Sequence, residues 1–416
     1  MTTSRNPASL STRPQPALQL RGNRAYFPAL DGVRAVAFLM VFATHYLQMP
    51  WGWTGVNVFF VLSGFLITGI LCDSRGQPHR LSDFYLRRAL RIFPLYYGLI
   101  VLLVLLYPIF RWQWSWAWLI WPGYVGNMAR LLQTDAPGSH TAMLEFAQLF
   151  SRTFPKVQLY LGHLWSLCVE EQFYLVWPWV VFGVGGTSAR RRLIAVCAAG
   201  ILGLPLLRVL VEQRLPPVVI DNAALITVTP LPFDALLLGA FIALMRRGPG
   251  AFRTLPLARI CFAVITAVFL IWVVRHPAAR HAAPPYAYPP GTFTWRLSLI
   301  DLFAGCVIVM ALERGSFTYR LFSLRPLRWL GRISYGAYVF HDILHGLIAR
   351  LFHHYTAHWI MPTAVAGLAS TVLLAWASYR WLESPFLRLK DRWNVQSASV
   401  GRVSQRAAPA QARRVA

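Results

Sequence analysis

Apolar residues gather into ten stretches along this chain, near 29–49, 54–72, 94–109, 163–183, 194–211, 224–245, 257–274, 295–312, 332–352 and 362–382. Each is about long enough to cross ~30 Å of hydrocarbon as a helix, with 94–109 the shortest. The pattern predicts an all-α polytopic integral membrane protein with about ten transmembrane helices. The segment WQWSWAWLIWPGY (112–124) is too short and too aromatic for a span. Tryptophan prefers the headgroup zone, so this segment reads as interfacial or re-entrant. Three regions follow: an N-terminal segment 1–28, a membrane domain 29–390, and a basic, disordered tail 391–416 rich in Ala, Arg, Ser and Gln.

Composition supports this class. Only 13% of residues are charged, against roughly 25% in a soluble domain. That disfavours both a soluble globule and a disordered chain. The net charge is +25, which on a soluble protein would suggest nucleic acid. Here the cations lie between the apolar stretches. With the N-terminus inside, 28 of the 40 Lys and Arg fall on or at the edge of inside segments and 7 fall on outside ones. This bias predicts ten spans with both termini cytoplasmic. Counting 112–124 as a span would put Arg190, Arg191 and Arg192 outside, so that version is rejected. The interleaving of charge with spans excludes a nucleic-acid binder, and the tail reads as a topology signal or lipid-surface tether. The first 28 residues lack the apolar core of a signal peptide. Five cysteines (72, 168, 197, 261, 306) lie in or beside apolar stretches without metal-site spacing and read as free thiols, so no metal is expected.

Ionisable residues inside a membrane are costly and mark functional sites. The first stretch carries Asp31, Arg34 and His45. Arg34 and His45 are eleven residues apart, which puts them near one helix face and about 16 Å apart along the axis. Asp31 lies one turn below Arg34, where it can pair with it. The fourth stretch carries Glu170 and Glu171, about 100° apart on a helix, so only one can face a given cavity. By depth Glu170 lies near the level of His45, and a histidine with a carboxylate partner is a general-base arrangement. The competing reading is a buried structural pair. Asp234, Asp301, His341, Asp342 and His345 are further intramembrane polar residues open to structural or catalytic roles. Arg88 and Arg91, three apart before the third stretch, share a helix face and suit phosphate; ordinary inside charge is the alternative. Histidines 353, 354 and 358 cluster outside without the acidic or sulfur ligands a metal site would need.

Six stretches occur in one order: LDGVRAVAFLMVFATHY (30–46), GVNVFFVLSGFLITGIL (55–71), DFYLRRALRIFPLYY (83–97), HLWSLCVEEQFYLVWP (163–178), ISYGAYVFHDILH (333–345) and YRWLESPF (379–386). Together they resemble the membrane-bound acyltransferase-3 family over residues 26–390. That family O-acylates bacterial polysaccharides, lipopolysaccharide, peptidoglycan and some macrolides. The resemblance implies an acyl-CoA donor from the cytoplasm, with acetyl-CoA the commonest, and a glycan or lipid-linked sugar acceptor. It also implies a place in the bacterial inner membrane. It puts the family's arginine–histidine motif on Arg34 and His45, its paired arginines on Arg88 and Arg91, and its glutamate on Glu170. Two departures stand out. Asn57 occupies a position where the family often has Asp or Glu, and Cys168 one where serine is common. The esterase-like domain of some members is not seen, which leaves transfer to the membrane domain or to a separate partner.

The expected chemistry places acyl-CoA phosphates at Arg88 and Arg91 and the pantetheine arm past Arg34. His45 then acts as general base on an acceptor hydroxyl, oriented by Glu170. A transient acyl-histidine is the alternative. The rival class is a polytopic transporter or flippase of a lipid-linked sugar, since intramembrane His, Glu and Asp equally suit proton coupling.

Overall fold

A computed structural model describes residues 26–112, 119–128, 148–150, 152–153, 158–214, 222–247, 254–275, 292–351 and 357–389. Residues 1–25, 113–118, the polar stretch 133–140, His353, His354 and the tail from 390 lie outside the described residues. The long helices are α1 (Pro28–Leu47), α2 (Gly55–Asp73), α3 (Arg80–Leu105), α4 (Trp165–Gly183) and α5 (Ala189–Arg214). They continue as α6 (Phe233–Met245), α7 (Thr254–Arg275), α8 (Thr292–Ala311), α9 (Ser334–Leu351) and α10 (Ala357–Ser378). A two-stranded antiparallel hairpin, β1 (Gln148–Phe150) and β2 (Gln158–Tyr160), precedes α4 and pairs Leu149 with Leu159.

Seven helices among the described residues are long and apolar enough to cross a membrane. The chain is therefore read as an all-α, multi-pass membrane protein with one small hairpin. Neither α4 nor α9 is among the seven. These two helices carry Glu170, Glu171, His341, Asp342 and His345, and those polar groups lower their hydropathy. Other outward faces are apolar: Leu202 on α5, Ile271 on α7 and Leu373 on α10 are 75%, 57% and 62% exposed. Such surfaces are solvated by lipid rather than water.

Local sequence explains most helix bounds. Pro28 opens α1 at a position where its missing N–H costs nothing, and Asp31 lies in the first turn, where the helix dipole favours negative charge. The helix α3 starts well before the apolar stretch 94–109, because the arginine-bearing segment from Arg80 is itself helical and amphipathic. The stretch 224–245 is broken into a short helix (Asn222–Thr227) and α6. Pro230 and Pro232 lie in the break, and proline removes backbone donors and crowds the preceding residue out of helical geometry.

The centre of the bundle is α1. It packs on α2, α9, α10 and two short helices, Phe317–Phe322 and Arg325–Arg332. The other tight pair is α2 with α6. A Cβ at Gly64 would lie 1.8 Å from the Leu236 carbonyl oxygen, and one at Gly239 would lie 1.9 Å from that of Val61. Only glycine lets these backbones meet, a common way to associate helices where no hydrophobic effect operates. Of the tryptophan-rich stretch, Trp112 and Trp121 are buried, and Trp112 donates to the Leu103 carbonyl at 3.1 Å. These two rings are core residues rather than interfacial anchors.

Candidate functional site

A pocket of about 730 Å³, mouth included, lies between α1, α2, α3, α4 and α9. Its polar lining is Arg34 from α1, Ser63 from α2, Arg88 and Arg91 from α3, Ser166, Glu170, Glu171 and Tyr174 from α4, and Ser334, Tyr335 and Tyr338 from α9. Four of the five residues singled out in the sequence, Arg34, Arg88, Arg91 and Glu170, therefore line one pocket. Glu171 lines it as well, so the expectation that only one of the two adjacent glutamates faces a given cavity is corrected: the cavity is wide enough to take both sides of the α4 face. His45 is not among the lining residues.

The helix α4 organises the long axis of this site. Tyr174, Glu170 and Ser166 lie four residues apart, so they stack along one face. The Arg88 guanidinium sits 5.0 Å over the Tyr174 ring. Glu170 accepts from the Ser63 hydroxyl at 2.7 Å and from the Tyr174 hydroxyl at 3.2 Å. Ser166 Oγ and Tyr338 Oη lie 2.6 Å apart, and Tyr338 donates to the His163 carbonyl at 3.0 Å. The stripe from Tyr174 to His163 covers eleven residues, the same count as Arg34 to His45 on α1, or about 16 Å.

Beyond Ser166 and Tyr338 lies a cluster of histidines. His45 Nδ1 is 3.2 Å from Asp342 Oδ1, and His163 Nδ1 is 3.3 Å from Asp342 Oδ2. His341 is fully buried and donates from Nδ1 to the Tyr338 carbonyl at 2.6 Å. Its ring centroid is 5.1 Å from that of His45 and 5.0 Å from that of His163. Tyr46 donates to the His341 carbonyl at 3.0 Å, and its ring centroid lies 4.8 Å from that of His345 in an edge-to-face arrangement. One helix joins the two regions: Ser334, Tyr335 and Tyr338 of α9 face the pocket, and His341, Asp342 and His345 follow within two turns.

The expected pairing of Glu170 with His45 is therefore corrected. The carboxylate beside His45 is Asp342, and Glu170 is engaged by Ser63 and Tyr174. Glu170 lies seven residues beyond His163 on the same chain, about 10 Å along the axis, so it belongs to the middle of the pocket. Asp342 appeared in the sequence as an intramembrane carboxylate without a partner, and His163 only inside the HLWSL stretch. Spacing does hold a signal: residues 163, 166, 170 and 174 repeat at helical period.

The other polar residues have local partners. Asp31 lies 3.5 Å from Arg34 and accepts from the Tyr26 hydroxyl at 2.6 Å. Asp83 pairs with Arg87 at 2.9 Å. Asp234 forms a buried ion pair with Arg208 on α5, and Asp301 accepts from Asn57 Nδ2 at 2.7 Å. Cys168 is buried. Among the described residues no group of three or more His, Cys, Asp or Glu is placed to hold a metal ion.

A family model described as an acyltransferase domain matches residues 27–380. The chain belongs to the acyltransferase-3 family. The match takes in every helix that lines the pocket and both partners of the His45–Asp342 pair. The chain is also similar to the "Peptidoglycan O-acetyltransferase OatA" of Listeria monocytogenes, with 28% identity over 381 residues, 88% of this chain and 56% of that one. It is 30% identical to the "Putative peptidoglycan O-acetyltransferase YrhL" of Bacillus subtilis over 86% of this chain and 55% of that one. It thus spans about half the length of the curated relatives it matches. No solved structure matches it at a significant level. What the acyltransferase-3 fold brings together in this chain is a pocket rich in guanidinium groups, next to a histidine held by a carboxylate.

Proposed function

We propose that this protein is a membrane O-acyltransferase that moves an acyl group, acetyl in the first instance, from acyl-CoA to a hydroxyl of an envelope glycan. The observation that carries this reading is that the pocket residues Ser166 and Tyr338 contact His163, whose ring faces the Asp342 carboxylate beside His45. Arg34, Arg88 and Arg91 lie in the pocket, and Ser166 and Tyr338 line it where it adjoins His163, Asp342 and His45. In this reading the chain has ten crossings with both termini cytoplasmic, in a bacterial inner membrane.

The residues fit a phosphate-bearing donor. Three guanidinium groups converge on one cavity, and guanidinium is the side chain best matched to phosphate oxygens. Arg88 and Arg91 hold the phosphates, and the pantetheine arm runs past Arg34 toward Ser166 and Tyr338. His45 acts as general base. Its Nδ1–H donates to Asp342, which fixes the tautomer and leaves Nε2 free to accept a proton. Nε2 takes the proton of the acceptor hydroxyl as that oxygen bonds to the thioester carbonyl carbon. The carbon–sulfur bond then breaks, and the thiolate leaves with the proton from His45. Asp342 stabilises the imidazolium between these two transfers.

The acceptor class, a glycan, follows the relatives' names as peptidoglycan O-acetyltransferases. The test uses purified protein in vesicles, supplied with acetyl-CoA and either peptidoglycan fragments or another envelope polysaccharide. Release of free CoA that depends on the glycan, with acetate found on it, is the expected result. Movement of a lipid-linked sugar without CoA release would instead favour a flippase.

A further inference from the structure

His163 makes two contacts, one from each ring nitrogen. Its Nε2 lies 3.0 Å from the Val339 carbonyl oxygen. A carbonyl oxygen only accepts, so Nε2 carries a hydrogen. Its Nδ1 lies 3.3 Å from Asp342 Oδ2, an ion-pair distance rather than a directed hydrogen bond, while Oδ1 of the same carboxylate faces His45. A carboxylate also only accepts, so His163 holds Asp342 as the imidazolium, with a hydrogen on each ring nitrogen. Asp342 is thus clamped from both sides, by a histidine on α1 and by one just before α4. Both His163 and Asp342 are buried, so neither contact is replaced by bulk water.

We propose that His163 is a positioning residue that acts on His45 through Asp342. This rests on the reading of His45 as the base. Asp342 comes from α9, and its side chain can rotate in the space between the helices. Holding Oδ2 fixes the plane of the carboxylate, and with it the direction in which Oδ1 meets His45. His163 holds it, and the Val339 carbonyl one turn earlier on α9 holds His163. The ring ties α4 to α9 at the level where Asp342 meets α1. The polar groups around this contact are Tyr46 on α1, Tyr338, His341 and His345 on α9, Tyr160 on β2 and Ser166 on α4.

The two amide side chains separate the two contacts. His163→Asn puts an amide nitrogen where Nδ1 was, so it keeps a donor on Asp342 and gives up Val339. His163→Gln reaches the Nε2 position, so it keeps Val339 and gives up Asp342. His163→Gln is expected to lower kcat about 10²-fold, the order that a small misplacement of a reacting group can cost, with the KM for acetyl-CoA retained. His163→Asn is expected to recover most of that loss. Equal kcat in the two variants, or a better Gln variant, would overturn the proposal, as would failure of both to accumulate as folded protein. A second measurement does not depend on their activities being high. In an Asp342→Ala background, His163→Gln should cost nothing further if it works through Asp342. A full multiplicative loss would contradict it. His45→Ala, run beside these, tests the base assignment separately: retained transfer there fails that reading, whatever the His163 variants do.

Discussion

His45 Nδ1 and Asp342 Oδ1 lie 3.2 Å apart, although one residue is near the start of the chain and the other near its end. The contact exists because α1 sits at the centre of the bundle and packs directly on α9. It assigns different work to the two carboxylates that a histidine here could use. In the proposed mechanism Asp342 orients His45, and Glu170 lines the pocket.

That division predicts a split in kinetics. Asp342→Asn should lower kcat by about 10²–10⁴-fold, the usual weight of an oriented base, with little change in the KM for acetyl-CoA. Glu170→Gln keeps the size of the side chain and one acceptor oxygen for Ser63 or Tyr174, and removes the charge. Its effect should fall more on KM than on kcat. Steady-state kinetics of both variants in vesicles read the difference.

The paired arginines should act on donor binding. Loss of a charged hydrogen bond costs about 1.5–3 kcal/mol, which corresponds to roughly tenfold to a hundredfold in affinity. Arg88→Ala should therefore raise the dissociation constant for CoA by that order while single-turnover transfer at saturating donor changes much less. Calorimetric binding of CoA to the detergent-solubilised protein gives the first number.

Helix packing gives a prediction about stability. Gly239→Ala places a Cβ against the Val61 carbonyl oxygen and forces α2 and α6 apart, a change of the overpacking kind that costs about 1–3 kcal/mol or more. Gly203→Ala on α5 meets open space and should be neutral or mildly stabilising. Thermal unfolding in detergent should separate the two variants by several degrees.

The buried pair of Arg208 and Asp234 gives another. Removing one partner leaves an uncompensated buried charge, at a cost of about 3–5 kcal/mol. Asp234→Ala alone should therefore destabilise more than the double replacement of Arg208 and Asp234 by Ala. Unfolding midpoints of the single and double variants check this.

Much of the fold was legible along the chain because apolar stretches long enough to span a bilayer have few alternatives to a helix. Each of the ten stretches holds a helix. The misjudged bounds have local causes. At α3 an amphipathic arginine segment continues the helix without adding hydropathy, and before α6 two prolines interrupt it. The hairpin ahead of α4 has only three residues a side, too few for alternation to show. In the site, Arg34 and Glu170 could be singled out because each is a charge where charge is costly, and Arg88 and Arg91 because their spacing of three puts them on one helix face. The partner of His45 could not be read in the same way. Depth along separate helices favoured Glu170 and left Asp342 as one of several intramembrane polar residues, and only the packing of α1 on α9 brings Asp342 to His45. His163 was hidden for a related reason: its contacts are to a backbone carbonyl and a carboxylate on another helix.

The central claim is that His45, held by Asp342, moves the proton in acyl transfer from a donor bound in the arginine-lined pocket. The most direct measurement is acceptor-dependent CoA release by His45→Ala in vesicles, alongside CoA binding by the same preparation. CoA affinity should match that of the unaltered protein, and transfer should fall by about 10²–10⁴-fold. Transfer near the unaltered rate, with the variant inserted and CoA bound, would contradict it.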